Sequence, residues 1–262
     1  MVELAEVLRD LADESEELDL RVDRLAPDAW DRPTPAPGWT IGHQIAHLAW
    51  TDHASLLAVT DPDAFSTLLA DALAEPESYV DRGAQEWLAE PDALLSRWRD
   101  GRQALADALT KVPAGGRILW YGTAMSASSM ATARIMETWA HGQDVADALG
   151  QRRAPTARLR HVAYLGYRTI GHSFATRGMD GPTAPVALLL TAPDGSQWTY
   201  GDPSAENRVT GPALDLCLLV TQRRHRDDLA LEATGPVADA WLNIAQAFAG
   251  PPGPGREPGG AR

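Results

Sequence analysis

Two pairs of residues with a spacing of four carry the clearest chemical signal in this sequence. Glu137 and His141 lie in METWAHGQDVADALG, which predicts a helix ending at a glycine, so the two side chains share one helix face. His43 and His47 have the same spacing in GWTIGHQIAHLAW, on a second predicted helix. Because two helices of a bundle can each turn ligands inward, this pattern is typical of a metal site.

A metal held by two imidazoles and one carboxylate would keep a coordination position open, as catalytic sites do and closed structural sites do not. Zinc, iron and nickel would each suit such ligands. The spacing alone leaves a second interpretation open, because Glu137, His141 and Asp144 also form the stripe expected of a solvated helix face. His47 equally fits a hydrogen-bonded interior histidine, and His43 fits an exposed one or a second layer around a ligand.

Other catalytic motifs are missing from the sequence. It contains no HEXXH helix, no phosphate-binding P-loop, no G-x-G-x-x-G after a strand and no G-x-S-x-G nucleophile turn. The single cysteine, Cys217, lies in the apolar run ALDLCLLV, which favours a small core residue over a catalytic thiol. A single cysteine also excludes an intrachain disulfide.

The helices that would position these residues lie in the first 150 residues of the chain. Apolar residues recur with helical spacing over 4–25, and Thr40 is suited to cap the helix that carries the two histidines. Further helices are predicted after Asp61, over 91–111 and over 130–150. This region is therefore predicted to be all-α, with four main helices and one or two minor ones.

After residue 152 the pattern changes to a mixture of helix and strand. A helix over 157–178 precedes two strand-like runs around Asp194-Gly195, which is a hairpin signal. NRVTG and DLALEATG predict two more strands, and helices are predicted over 212–224 and 236–250. This order indicates an α+β domain with a small, mostly antiparallel sheet. The predicted organisation is a helical domain over 1–152, an α+β domain over 153–250 and a Pro/Gly-rich tail over 251–262.

Composition excludes several classes of partner. The chain has 262 residues, of which 44% are hydrophobic, and a formal net charge of -13, which is a globular composition. Nucleic acid and anionic membrane surfaces attract basic faces, so neither is an expected partner. The acidic N-terminus has no basic start or apolar centre of a signal peptide, and no apolar run approaches the roughly 20 residues of a membrane helix. A cytoplasmic protein is predicted.

The stretch PTPAPGWTIGHQIAHLAWTDHASL resembles the signature region of the mycothiol-dependent maleylpyruvate isomerase family, the metal-binding branch of the DinB-like superfamily. The matching residues are Gly-Trp-Thr at 38–40 and Ala-His-Leu at 46–48. A second signature, a Glu and a His four apart followed by Asp, matches ETWAHGQD. The resemblance implies a DinB-like four-helix bundle with a metal bound by His47, Glu137 and His141 and water in the open position. Zinc is the expected metal, with nickel and iron as alternatives.

The C-terminal half is similar to the second domain of that family, a small sterol-carrier-like α+β module. The match rests on GPALDLCLLVTQRR, where the family has an apolar helix that ends in Gly-Arg. This chain has Gln222-Arg223 at that point, and a further arginine, Arg224, follows. The family's arginine assists catalysis, so Arg223 and Arg224 are both candidate catalytic residues. Taken whole, the chain resembles an actinobacterial subgroup of metal-binding proteins with no agreed activity.

The family resemblance implies a metal-dependent enzyme that activates a low-molecular-weight thiol, with mycothiol as the expected co-substrate. The thiol would add to a small electrophilic substrate, and the adduct would be released as in a transferase or rearranged as in an isomerase. An arginine of the second domain would pair with a substrate carboxylate in a cleft between the domains. Asp144 and His43 would orient ligands from a second layer.

Two other functions stay open from the sequence. One is metal-dependent hydrolysis, in which the metal activates water instead of a thiol. The other is non-catalytic binding of a metal or a small molecule by the bundle and its second domain. The sequence is compatible with a monomer and with a homodimer.

Overall fold

The computed structural model describes residues 3–253 and 255–259. The predicted Pro/Gly-rich tail over 251–262 is therefore described only in part, because residues 254 and 260–262 lie outside those ranges. Within the described residues, no helix is long and apolar enough to cross a membrane.

The chain divides into two compact units, Met1–Arg152 and Arg153–Arg262. The first unit is mostly helical, and its four long helices form the bundle predicted from the sequence. The helices are α1 (Leu4–Val22), α2 (Ile41–Thr60), α3 (Pro62–Ala74), α4 (Tyr79–Glu86), α5 (Pro91–Thr110) and α6 (Ala127–Ala148), with a 3-10 turn at Pro27–Asp31. Within the bundle, α2 packs against α6.

Polar side chains fix where three of these helices begin. Thr40 accepts a hydrogen bond from the His43 backbone N–H, and the His43 ring accepts one from the Thr40 backbone, which is a reciprocal capping box. Asp61 caps α3 and Ser126 caps α6, each accepting from a backbone N–H of the first turn. The predicted cap Thr40 is therefore present, and α3 begins after Asp61 as predicted. Thr40 sets the start of the helix that carries His47.

Helices α2 and α6 lie in the interior of the first unit. Every residue from Gln44 to Trp50 on α2 and from Thr138 to Ala146 on α6 is buried, about two turns or more of each helix. A helix buried over successive turns is covered on all sides, so its polar side chains are enclosed by packing. Fully or almost fully buried apolar residues of this core include Leu18, Ile45, Leu48, Phe65, Leu94, Trp98, Leu105, Met130 and Ile135.

A two-stranded hairpin lies between α5 and α6. Strand β1 (Ile118–Trp120) pairs antiparallel with β2 (Thr123–Met125). The two-residue turn between them ends in Gly122, whose φ of 79° lies in the left-handed region that favours glycine. The hairpin is a local departure from the predicted all-α region, because helical periodicity does not detect a Tyr-Gly turn between short apolar runs.

The second unit combines helices with a four-stranded sheet, which is the α+β organisation predicted from the sequence. Its strands are β3 (Val186–Thr191), β4 (Gln197–Tyr200), β5 (Asn207–Pro212) and β6 (Glu232–Thr234), in the order β4-β3-β5-β6. The pairs β3–β4 and β5–β6 are antiparallel, and the central pair β3–β5 is parallel. The predicted turn at Asp194-Gly195 joins β3 to β4, with Gly195 at a φ of 83°.

The helix predicted over 157–178 is divided in the structure. It consists of α7 (Leu159–Arg168) and α8 (Ile170–Ala175). The two separate at Thr169, whose hydroxyl donates to the Leu165 carbonyl oxygen at 3.0 Å. The backbone of Thr169, with a φ of -99° and a ψ of 11°, leaves the helical region at this point.

The helix predicted over 236–250 ends early. After α9 (Ala213–Val220), the last helix, α10 (Pro236–Leu242), stops eight residues before the predicted end at Gly250. The backbone leaves the helix because the Ala247 N–H donates to the carbonyl oxygen at the end of α9, at 2.8 Å. Such a long-range bond is not visible in helical periodicity.

Candidate metal centre

Helices α2 and α6 bring three of the predicted ligands together. Glu137 Oε2 lies 3.5 Å from His47 Nε2 and 3.3 Å from His141 Nε2. The three ligand atoms all lie within 4.8 Å of one another. Metal–ligand bonds of about 2.1 Å in a tetrahedral arrangement place two ligand atoms about 3.4 Å apart. The two distances from Glu137 therefore match those expected for ligands of a single divalent ion.

The cluster is more enclosed at its histidines than at its carboxylate. The side chains of His47 and His141 are 8% and 11% exposed, whereas that of Glu137 is 22% exposed. Enclosed imidazoles keep a fixed orientation, and the more open carboxylate edge gives access to the ion. Three protein ligands with an accessible edge leave room for water or a substrate atom.

Glu137 is charged because the two imidazoles outweigh the effect of burial. Burial alone raises the pKa of this carboxyl group, since water no longer solvates the charged form. Hydrogen bonds and positive charge from His141 and His47 act in the opposite direction and hold the pKa well below its usual range. The resulting carboxylate is the form that ligates a metal.

Gln44, a residue outside the sequence motifs, orients His141. Its Oε1 lies 2.5 Å from His141 Nδ1, and its Nε2 donates to Thr34 Oγ1 at 2.8 Å. Because an amide oxygen can only accept, His141 Nδ1 donates this hydrogen bond, so Nε2 is the nitrogen that faces Glu137 and that could ligate a metal. Gln44 is fully buried and lies three residues before His47. A polar residue on the ligand face was therefore the signal that could have identified it.

Replacing Gln44 by leucine is expected to weaken metal binding without removing a ligand. His141 Nδ1 would lose its acceptor, and with it the hydrogen bond that sets the ring's tautomer and orientation. Loss of such a contact lowers metal affinity by roughly 10- to 100-fold, which a zinc titration against a chromophoric chelator would measure. Gln143→Leu is the matched control. The side chain of Gln143 is also a buried amide, but it donates to Asp147 Oδ1 at 2.8 Å, and both of these residues lie on α6. Equal losses in the two variants would argue against an orienting role.

Two tryptophans flank the histidine ligands. The Trp39 ring lies 5.9 Å from the His141 ring, at an interplanar angle of 19°, and 5.3 Å from the His47 ring. Its indole Nε1 donates to Asp81 Oδ1 at 2.8 Å, which fixes the ring. The Trp50 ring meets His47 edge-on at 5.8 Å. Ring packing therefore orients His47, whose Nδ1 is buried without a hydrogen-bond partner among the described residues.

The two residues predicted in a second layer occupy different positions. Asp144 lies on α6 one turn beyond the histidine ligand of that helix and is 1% exposed. His43 belongs to the cap of α2, and its Nε2 lies 3.1 Å from Gln85 Oε1. In the structure, the ligand imidazole of His141 donates to the side chain of Gln44, the neighbour of His43. For Asp144, a second-layer role stays a prediction.

The predicted arginines lie in the second unit, just after α9. Arg223 Nη1 donates to the Thr221 carbonyl oxygen at 2.6 Å, and Arg224 Nη1 donates to the Arg223 carbonyl oxygen at 2.7 Å. Gln222, which precedes them, has a φ of 58°, a conformation that a glycine would adopt without strain. Arg224 also lines a cavity of about 160 Å³. The catalytic role of either arginine stays a prediction.

Comparison with known proteins places these features in a family. Residues 11–146 match the model of the mycothiol maleylpyruvate isomerase N-terminal domain. Uncharacterized proteins of two strains of Mycobacterium tuberculosis are 52% identical over 248 residues, which are 94% of this chain and 96% of the relative.

Solved structures of a mycothiol-dependent maleylpyruvate isomerase share the fold. The crystal structure of that enzyme matches with a TM-score of 0.58 at 18% sequence identity, covering 88% of this chain and 93% of that chain. A histidine-to-alanine mutant of the same enzyme gives the same values. From the match over 11–146 and the two relatives, we conclude that the chain belongs to the mycothiol maleylpyruvate isomerase N-terminal domain family.

Proposed function

We propose that this protein is a metal-dependent enzyme that activates a low-molecular-weight thiol, mycothiol, for reaction with a small electrophilic substrate. The observation that carries the proposal is the donor set of His47, Glu137 and His141, whose ligand atoms have the spacing of a shared ion. Three protein ligands leave a position for a co-substrate. The name of the matching family supports mycothiol as the thiol.

Each residue of the site has a distinct task in this proposal. His47, Glu137 and His141 would hold the ion, with zinc the metal that suits such ligands. A divalent ion, when bound, lowers the pKa of a coordinated thiol so that the sulfur is present as thiolate at neutral pH. Gln44 keeps His141 in the tautomer whose Nε2 is free to ligate. Trp39 covers the imidazole faces and keeps water from them.

The reacting sulfur is proposed to come from a small molecule because the protein's own thiol is unsuited. Cys217, the single cysteine, is fully buried on α9, with its Sγ 3.5 Å from the Leu159 carbonyl oxygen. Burial raises the pKa of this thiol, which keeps it protonated at neutral pH. A buried, protonated thiol is a poor nucleophile, since the thiolate is the reactive form.

The variant Cys217→Ser tests whether the sulfur is external. Its kcat/KM with mycothiol is expected to equal that of the wild type. The free energy of unfolding should fall by about 1 kcal/mol, because a hydroxyl replaces a thiol in an apolar site. Steady-state kinetics and urea unfolding on the same preparations measure both quantities. Loss of turnover in a folded Cys217→Ser protein would place a protein sulfur in the reaction and refute the proposal.

The proposed chemistry is addition of the thiolate to an activated carbon–carbon double bond. As the C–S bond forms, the π electron pair moves onto an adjacent electron-withdrawing carbonyl group. In an isomerase, rotation about the new single bond is followed by return of the electron pair and departure of the thiolate. In a transferase, a proton is added to carbon and the thioether is released. The solved relative is named for the first outcome.

An arginine of the second unit is proposed to pair with a carboxylate of the substrate. Loss of a charge-assisted hydrogen bond costs about 1.5–3 kcal/mol, or roughly 10- to 150-fold in kcat/KM. We expect this loss in either Arg223→Ala or Arg224→Ala, and the matched pair shows which arginine is involved. A neutral ester of the substrate should be insensitive to both changes. Small, equal effects on the acid and the ester would speak against an arginine contact.

A further inference from the structure

A second polar contact joins α2 and α6, outside the ligand cluster. Arg134 Nε donates to Asp52 Oδ1 at 2.7 Å, and the two side chains are only 2% and 6% exposed. A further donor of the guanidinium, Arg134 Nη2, is buried without an acceptor among the described residues. The contact is therefore an ion pair in the interior of the bundle.

Folding stability alone is a weak reason for such a pair. Taking two charged groups out of water costs several kcal/mol per ion, and replacing a buried ion pair by apolar residues of similar volume is often neutral or stabilising. The guanidinium is incompletely satisfied by protein groups, which adds to that cost. What the pair between Asp52 and Arg134 does supply is a fixed distance and direction between two helices.

The ion pair lies in register with the ligand contacts. At successive contacts between the two helices, the residue numbers rise on α2 and fall on α6, so the helices run antiparallel. The contact between the ligands His47 and Glu137 lies between two other polar contacts. A helix rises about 1.5 Å per residue. A slip by one residue would therefore move ligand atoms much farther than the roughly 0.2 Å tolerance of a metal–ligand bond. The three contacts are Gln44–His141, His47–Glu137 and Asp52–Arg134.

We propose that Asp52 and Arg134 are positioning residues for the metal centre. Their ion pair fixes the register of α2 against α6 on one side of the ligand contact, as Gln44 does on the other. His47 is thereby held at ligand distance from the two ligands on α6. This inference rests on the proposed metal site, and its test measures metal binding by the wild type first.

The test separates zinc affinity from folding stability in the full-length chain. The double variant Asp52→Leu, Arg134→Met replaces the ion pair by apolar side chains. Zinc dissociation constants come from competition with a chromophoric chelator, and urea midpoints of the zinc-free protein report folding. The control, Asp19→Leu with Arg102→Met, removes the ion pairs that Asp19 of α1 makes with Arg102 of α5, at 2.7 Å, and with Arg99 of the same helix. That control leaves the contacts between α2 and α6 unchanged.

The expected result is a urea midpoint close to that of the wild type and a zinc Kd raised roughly 10- to 100-fold, the loss typical of residues that orient ligands. The control variant should keep the wild-type Kd. A wild-type Kd in the folded double variant overturns the inference. So does an equal rise in the control, because any lost ion pair would then have the same effect.

Arg134→Lys keeps the test decisive if the double variant does not fold. Lysine retains the charge but not the directed Nε contact, so a several-fold rise in Kd supports the positioning role and a wild-type Kd overturns it. Failure of the wild type to bind zinc would be a different result, since it refutes the proposed metal site itself and the positioning role with it.

Discussion

Alanine in place of His141 is expected to leave the purified protein without bound zinc. A structural zinc site with four ligands contributes about 10–16 kcal/mol of binding free energy, so one ligand accounts for about 2.5–4 kcal/mol, or roughly 10²- to 10³-fold in affinity. His47→Ala is expected to have the same effect, because its Nε2 lies 3.5 Å from the shared Glu137 carboxylate. Zinc content after dialysis against a weak chelator, measured by atomic emission, gives the result.

His43→Ala is the matched control for loss of a ligand. The His43 ring contributes to the cap of α2 and lies 3.1 Å from Gln85 Oε1, so its removal should lower folding stability by about 1 kcal/mol and leave the zinc content unchanged. Full occupancy in a His47→Ala, His141→Ala double variant would rule out the ligand set. Loss of zinc in His43→Ala alone would indicate different ligands.

Local sequence patterns are sufficient to place the ligands on their helices. Glu137 and His141 share a face of α6 because residues four apart do so in any helix. Thr40 and Asp61 mark helix starts because their side chains accept from free backbone N–H groups. The sequence of α6 does not show which helix packs against it, and the same is true of α2. The family resemblance, carried by the residues around His47, supplied that pairing.

Residues that orient the ligands depend on the register between helices, which no single helix pattern contains. Gln44 reaches His141 across 97 residues of sequence, and Asp52 reaches Arg134 across 82. Spacing along one helix shows which face carries a polar side chain, but it does not show which residue of the other helix that side chain contacts. The break at Thr169 is missed as well, because hydrophobic periodicity does not show where the backbone leaves the helical conformation.

Turnover is expected to require both bound zinc and an added small thiol. At pH 7, a free thiol with a pKa of about 8.5 is only about 3% thiolate. Zinc held by these ligands would lower the pKa of a bound thiol, so that about 30-fold more thiolate would be present, and binding would hold it next to the electrophile. Mycothiol is expected to outperform glutathione, since recognition of the thiol carrier adds to ionisation of its sulfur. A chelator should reduce the rate to that of the uncatalysed reaction.

The most direct test is the initial rate of zinc-loaded protein on one electrophilic cis-alkene with mycothiol, with glutathione and with no thiol. We expect the highest rate with mycothiol, a lower rate with glutathione and only the background rate without thiol. Equal rates in all three conditions would contradict thiol chemistry and indicate zinc-activated water, as in a hydrolase. No rate in any condition, across a broad set of electrophiles, would contradict catalysis and indicate a binding protein.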